Sequence, residues 1–156
     1  MHVKVRALTP ADLQPYREVR LESLRLHPEC FGASYEAQRQ LPQMHFEQKI
    51  ASQDPHYTML GAFDGELLIG LCGVSALEIH VALITQMYVK SAYQGYGVGQ
   101  ILIDAAKRIA VAAHQAHVLQ LNVFPHNLPA KRRYEQAGFQ VAGQTDGELN
   151  MVLTLR

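Results

Sequence analysis

"VKSAYQGYGVGQILIDAAKRIA", Val89 to Ala110, carries Gly95, Gly97 and Gly99 at alternate positions just before a run with helical spacing. Glycine weakens a helix, but it admits positive φ and lets another molecule approach the backbone. Two readings fit. One is a plain tight turn. The other is a loop whose backbone N–H groups converge on an anion at the positive end of the next helix. Two nucleotide motifs fail by count. The dinucleotide fingerprint needs glycines at its first, third and sixth places, and the sixth place is Gln100 counted from Gly95 and Leu102 counted from Gly97. The lysine and hydroxyl of a P-loop are missing as well.

On either side of this stretch the pattern is that of one mixed domain. Leu102, Ala105, Ala106, Ile109 and Ala113 give the following helix an inner face of mainly small side chains, suited to close packing on a sheet. Upstream, a strand from about Ile79 to Val89 feeds the glycines. Asp64-Gly65 predicts a turn joining Tyr57–Phe63 to Glu66–Ser75 as a hairpin. Alternation of Val3, Val5 and Ala7 predicts a first strand. Thr9, Pro10 and Asp12 then start a helix with Leu13, Tyr16, Val19 and Leu24 inward, bent or starting late at Pro15 and closed by His27-Pro28. "ECFGASYEAQRQLPQ" is mixed helix and loop, and a second helix covers about Met44 to Ser52. Downstream, "HVLQLNV" is a strand, Leu128 to Ala137 a short helix capped by Asn127 and ended by Gly138, and "FQVAG" and "LNMVLTLR" are the last strands. The order β α α β β β β α β α β β is that of an α+β, or mixed α/β, domain around one sheet.

The chain has 156 residues, 48% of them hydrophobic, enough for a single domain with a substantial core. Fourteen basic residues balance fourteen acidic ones, so no global field draws in nucleic acid or an anionic membrane. The apolar run Leu67 to Val89 is broken by Glu78 and His80 and reads as strands rather than a membrane span. The first residues, "MHVKVRALTP", show no secretory pattern, which makes the cytoplasm the expected location. Cys30 and Cys72 have no metal-pair spacing and leave one disulfide open. His114 and His117 lack a third ligand, so no metal is expected. The final strand alternates well enough to serve as an edge pairing between chains, which points to a homodimer.

The chain resembles the GNAT superfamily of N-acetyltransferases in two motifs. The acetyl-CoA motif of that family is Gln or Arg, two residues, Gly, one residue, then Gly or Ala, and Gln94, Gly97 and Gly99 fill those places. About thirty residues later the family has Asn, then Ala, then Tyr on a short helix ending in Gly-Phe, matched by Asn127, Ala130, Tyr134, Gly138 and Phe139. The resemblance spans roughly Thr58 to Phe139. It implies one domain over residues 1–156, with a twisted, mostly antiparallel sheet of about seven strands and about four helices. It also implies acetyl-CoA as co-substrate and no metal.

Residue by residue, the resemblance assigns the diphosphate to the N–H groups of Gly95, Tyr96, Gly97, Val98, Gly99 and Gln100, with Gln94 beside them. It assigns the acetyl-pantetheine arm to the backbone of Met87, Tyr88 and Val89 and to Asn127, with Ala130 on the same helix. Tyr134 becomes the acid that protonates the departing sulfur. Read alone, Tyr134 is a core aromatic and Asn127 a helix cap. Lys131, Arg132 and Arg133 form either a solvated face or a contact with the 3′-phosphate. Phe31, Tyr35, Glu36 and His80 are candidates for shaping the acceptor site. Glu36, Glu78, His80 or a water chain could serve as base, because Asn122 replaces the glutamate of relatives that acetylate protein N-termini. The implied activity is direct transfer of acetyl to a primary amine, a small molecule being favoured over a protein. A non-catalytic CoA sensor is the alternative, and a nucleotide-binding protein a third.

Overall fold

Alternating apolar residues at the start of the chain form strand β1 (Val3–Ala7), which lies on the edge of a seven-stranded sheet. The computed structural model describes residues 2–155. A 3-10 turn at Pro10–Asp12 leads into helix α1 (Leu13–Leu26), so the helix proper starts late and Pro15 falls in its first turn, where a missing N–H does no harm. The ambiguous segment folds as a short helix α2 (Tyr35–Arg39), capped by Ser34, whose Oγ accepts from the Ala37 N–H at 3.3 Å. Helix α3 (His45–Ser52) follows.

The expected hairpin forms, with strand β2 (Tyr57–Asp64) against strand β3 (Leu67–Glu78). Strand β3 runs on three residues past Ser75, and a turn at Ile79-His80 leads into strand β4 (Val81–Val89). Three strands therefore stand here, not the four of the predicted order. Helix α4 (Val98–His114) crosses to strand β5 (Val118–Val123), and helix α5 (Leu128–Gln136) leads to strands β6 (Gln140–Thr145) and β7 (Glu148–Thr154).

The sheet order is β1-β2-β3-β4-β5-β7-β6, antiparallel except for the parallel pair β4–β5. This is the expected α+β class, with five helices rather than about four because α2 is an independent turn. One correction bears on assembly. Strand β7 lies between β5 and β6, with both of its sides paired, so the last strand is not an edge and the ground for a homodimer is gone.

Two apolar cores sandwich the sheet. Ile69, Cys72 and Val74 of β3 pack with Leu102, Ile103 and Ala106 of α4 and with Tyr134 of α5. Leu68 and Leu71 face the other way, onto Tyr16 and Val19 of α1 and Phe46 and Ile50 of α3. The continuous apolar run of β3 is thus a strand buried on both faces. Cys72 is buried in the first core and Cys30 is half-buried, and both thiols are free.

Candidate active site

The site begins where two parallel strands part. Strand β4 pairs with β5 only over Val81–Leu83 against Val118–Gln120, and beyond Leu83 it has no β5 partner. On its other side β4 stays joined to β3 through a bulge. Leu71 faces Tyr88 and Gly73 faces Thr85, which leaves Gln86 and Met87 across from Cys72 alone. Gln86 takes up the extra length at φ +57, in the left-handed region. The buried Tyr16 hydroxyl donates to its Oε1 at 2.6 Å and holds the kink. Opposite the kink, a β-carbon on Gly73 would lie 2.9 Å from Thr85 Oγ1. The opening is a cleft of about 340 Å³ bounded by Ile84–Val89, Leu121–Val123, Asn127, Ala130, Arg133 and Tyr134.

The glycine loop closes one end of this cleft. Gly95 and Gly97 have φ of +85 and +82, and Gly97 is the residue at which α4 begins. Gly99 permits a close approach. A β-carbon there would meet the Arg133 guanidinium at 3.3 Å, so α5 lays a cation directly on the first turn of α4. Gly95, Gly97, Val98, Gly99, Gln100, Arg132 and Arg133 line an adjoining cavity of about 390 Å³ that has no carboxylate in its wall. Tyr96 is outside that lining and 67% exposed. Gln94 borders both spaces, and its amide donates to the Val89 carbonyl at 3.0 Å, fastening the loop to the end of β4.

Helix α5 supplies the third wall. Asn127 caps it, with Oδ1 accepting from the Ala130 N–H at 3.4 Å, and also borders the cleft. Lys107 of α4 donates to the Ala137 carbonyl at 2.9 Å and so fixes the other end of the helix. Tyr134 is 7% exposed, edge-on to Phe139, and its hydroxyl makes no hydrogen bond with the described residues. Burial, with a smaller contribution from Cys72, pushes that hydroxyl well above its ordinary pKa, so it keeps its proton at neutral pH and is a donor.

Beyond the kink the cleft runs on into a cavity of about 530 Å³, and Cys30, Phe31, Thr85, Gln86, Asn122 and Glu148 border both. Phe46, Tyr57 and His45 give this end an aromatic wall, and Arg20 lies in it. Of the residues expected to shape the acceptor site, Phe31 is here. Tyr35, Glu36 and His80 line none of these spaces. Glu36 pairs with Arg39 at 3.0 Å, and the Arg39 guanidinium lies 5.9 Å from the Tyr35 ring. His80 stacks on His117 at the β3–β4 turn, with Nδ1 3.0 Å from the Gln115 carbonyl. Glu78, at the end of β3, is exposed and also outside the cavities.

Sequence reasoning missed Glu148, the only carboxylate among the described residues that line these three cavities, because it stands at the start of a strand that comes beside β5 only through folding. Arg20 had a signal. It lies four residues after Tyr16 and four before Leu24, on the inward face of α1.

The family model described as the acetyltransferase (GNAT) family matches residues 16–139. No curated relative matches the chain by sequence. Among solved structures, the PaiA N-acetyltransferase of Thermoplasma acidophilum in complex with coenzyme A is similar at TM-score 0.84, with 22% identity over 99% of each chain. The GNAT domain of S. lividans PAT is similar at 0.83, with 17% identity over 97% of this chain and 90% of that one. The yncA structure from Salmonella typhimurium with its cofactor acetyl-CoA is similar at 0.75, with 18% identity over 100% and 95%. At these identities the solved structures establish a common fold. The family match covers most of the chain, including the splayed strands, the glycine loop and the α5 wall, and the chain therefore belongs to the acetyltransferase (GNAT) family.

Proposed function

We propose that the protein is an acetyl-CoA-dependent N-acetyltransferase that moves acetyl directly to a primary amine of a small molecule, with both substrates bound together. The observation that carries this reading is Tyr134, its hydroxyl unbonded among the described residues, on the wall of a cleft that also exposes the stretch of β4 that keeps β3 but has no β5 partner. A core tyrosine ordinarily finds a hydrogen-bond partner for its hydroxyl.

The cleft suits acetyl-CoA along its length. The N–H groups at Gly95–Gln100 and the two guanidinium groups form a cationic cradle for the diphosphate. The backbone of Met87–Val89, which has no β5 partner and whose Val89 carbonyl is taken by Gln94, suits the amide-bearing pantetheine arm, and an N–H there supports negative charge on the thioester oxygen during transfer. In the reaction the amine nitrogen bonds to the acetyl carbon, the carbon–sulfur bond breaks, and the sulfur takes the Tyr134 proton. The amine proton leaves to Glu148 or to solvent, and the phenolate is reprotonated from solvent.

Thermal unfolding with acetyl-CoA, CoA, ATP and NAD at equal concentration tests the reading. Acetyl-CoA and CoA at a hundred times their dissociation constants raise stability by about 2.7 kcal/mol. A shift with ATP or NAD instead, or with none of the four, refutes it.

A further inference from the structure

Arg20 is a buried cation with no partner. The residue is 8% exposed on the inner face of α1, and its Nη1 is fully buried with no hydrogen bond. Its guanidinium forms no ion pair among the described residues. Glu22 of α1 and Glu47 of α3 are engaged with other partners. Glu47 binds Arg17 at 2.6 Å and the Met44 N–H at 2.7 Å, while Glu22 accepts from Tyr88 at 2.7 Å and pairs with Lys90 at 3.4 Å. Its aromatic neighbour is the Phe31 ring, whose centroid lies 5.1 Å from Cζ, and the Tyr16 hydroxyl also favours its charge, but neither is an anion at neutral pH. An unpaired charge in the interior is costly, so buried cations are almost always matched by an anion.

Arg20 borders the larger cavity, the one beyond the β4 kink. That cavity offers a cation at Arg20, a carboxylate at Glu148, and aromatic walls at Phe31, Phe46 and Tyr57. Glu148 borders the acetyl cleft as well, so the carboxylate end adjoins the transfer site. This polarity suits a molecule with an ammonium at one end and an anion at the other. It disfavours a diamine, whose second cation would meet Arg20.

Building on the acetyl-transfer reading, we infer that the acceptor is a small amino carboxylate, its carboxylate forked on Arg20 and its amine on the Glu148 side. A planar guanidinium matches a carboxylate through two parallel hydrogen bonds, which gives orientation as well as affinity.

The test pairs each acid with its decarboxylated counterpart: leucine with 3-methylbutylamine, phenylalanine with 2-phenylethylamine, and 4-aminobutanoate with propylamine. Putrescine is added as a diamine. CoA release and product mass are followed for the wild type, Arg20→Met and Arg20→Lys. At least one acid should exceed its counterpart by about 100-fold or more in kcat/KM, because a buried group built to bind a partner rejects analogues that lack it. Arg20→Met should abolish that preference through KM, and Arg20→Lys should restore part of it. The acetyl-CoA thermal shift should be the same in all three proteins. Met at this position removes an unpaired buried charge, so the fold is retained.

Putrescine or the simple amines reacting as well as the acids would overturn the inference, as would a preference unchanged in Arg20→Met. Failure of all three acids to turn over or to stabilise the protein, with the acetyl-CoA shift intact, overturns it alone. Loss of the acetyl-CoA shift in the wild type overturns the transfer reading beneath it.

Discussion

The guanidinium of Arg133 lies against the α-carbon of Gly99, 3.3 Å from where a β-carbon would stand. The contact brings α5 to the first turn of α4 and places a positive charge beside the glycine loop. Of the basic run on α5, Lys131 reaches Glu135 at 3.2 Å, while Arg132 and Arg133 border the loop cavity. Arg133→Gln should weaken CoA binding by about 10- to 100-fold, the loss of one charge-assisted hydrogen bond to a phosphate. Gly99→Ala should have a smaller effect, since the guanidinium needs to shift only slightly to admit the methyl group. Equilibrium titration with CoA measures both, and an unchanged dissociation constant in Arg133→Gln would remove the residue from the cradle.

Tyr134→Phe separates chemistry from packing. The hydroxyl has no hydrogen bond to lose among the described residues, so the melting temperature should hardly move. Turnover at saturating substrates should fall by about 10² to 10⁴. Equal turnover in the two proteins would end the role of Tyr134 as acid.

Tyr16→Phe tests the kink. The lost 2.6 Å bond to Gln86 should cost about 1 kcal/mol in a denaturant titration. Gln86 then loses its restraint at positive φ, and kcat should fall although Tyr16 is not among the residues lining the cleft. Wild-type kcat with reduced stability would make the bond purely structural.

Acid stability should depend on Asp12. Arg6 grips its carboxylate at 2.8 and 3.0 Å, Thr9 adds its backbone N–H at 2.8 Å, and together they hold its pKa at about 2 against an ordinary 3.8. The folded value is the lower one, so the unfolded chain binds more protons in that window. The contribution is complete above pH 3.8 and lost as pH falls through about 2. Asp12→Asn should lower stability by about 1–2 kcal/mol at neutral pH, a modest value because Arg6 is half exposed. It should also flatten the melting profile between these two pH values, and a wild-type profile already flat there would contradict the assignment.

Much of this molecule was legible in its sequence because the signals were local. The period of β1, the Asp64-Gly65 turn, the Gly97 start of α4 and the Asn127 cap each depend on residues within a few positions of one another. Non-local features were not legible. The final strand reads as an edge until one knows that β6 lies outside it, and Glu148 has no neighbour in sequence that marks it as a cavity residue. Tyr35, Glu36 and His80 line none of the three cavities, and their side chains are engaged with neighbours that the sequence does not mark. Arg20 was missed because a charged residue on an apolar helix face is passed over as solvated.

The short parallel seam between β4 and β5 also divides the molecule in time. Strands β2, β3 and β4 are successive antiparallel neighbours joined by tight turns, so their contacts close early at little entropic cost. Strands β5, β7 and β6 form a second antiparallel group, in which only β6 and β7 are successive and β5 meets β7 after the chain has passed through α5 and β6, and it is tied to the first by three residue pairs and by α4. The seam joins strands that are distant in sequence, so its contacts cost more chain entropy to close than those across the tight turns. The binding cleft is the part of that joint that never zips shut, so it is complete only when both groups of strands are in place.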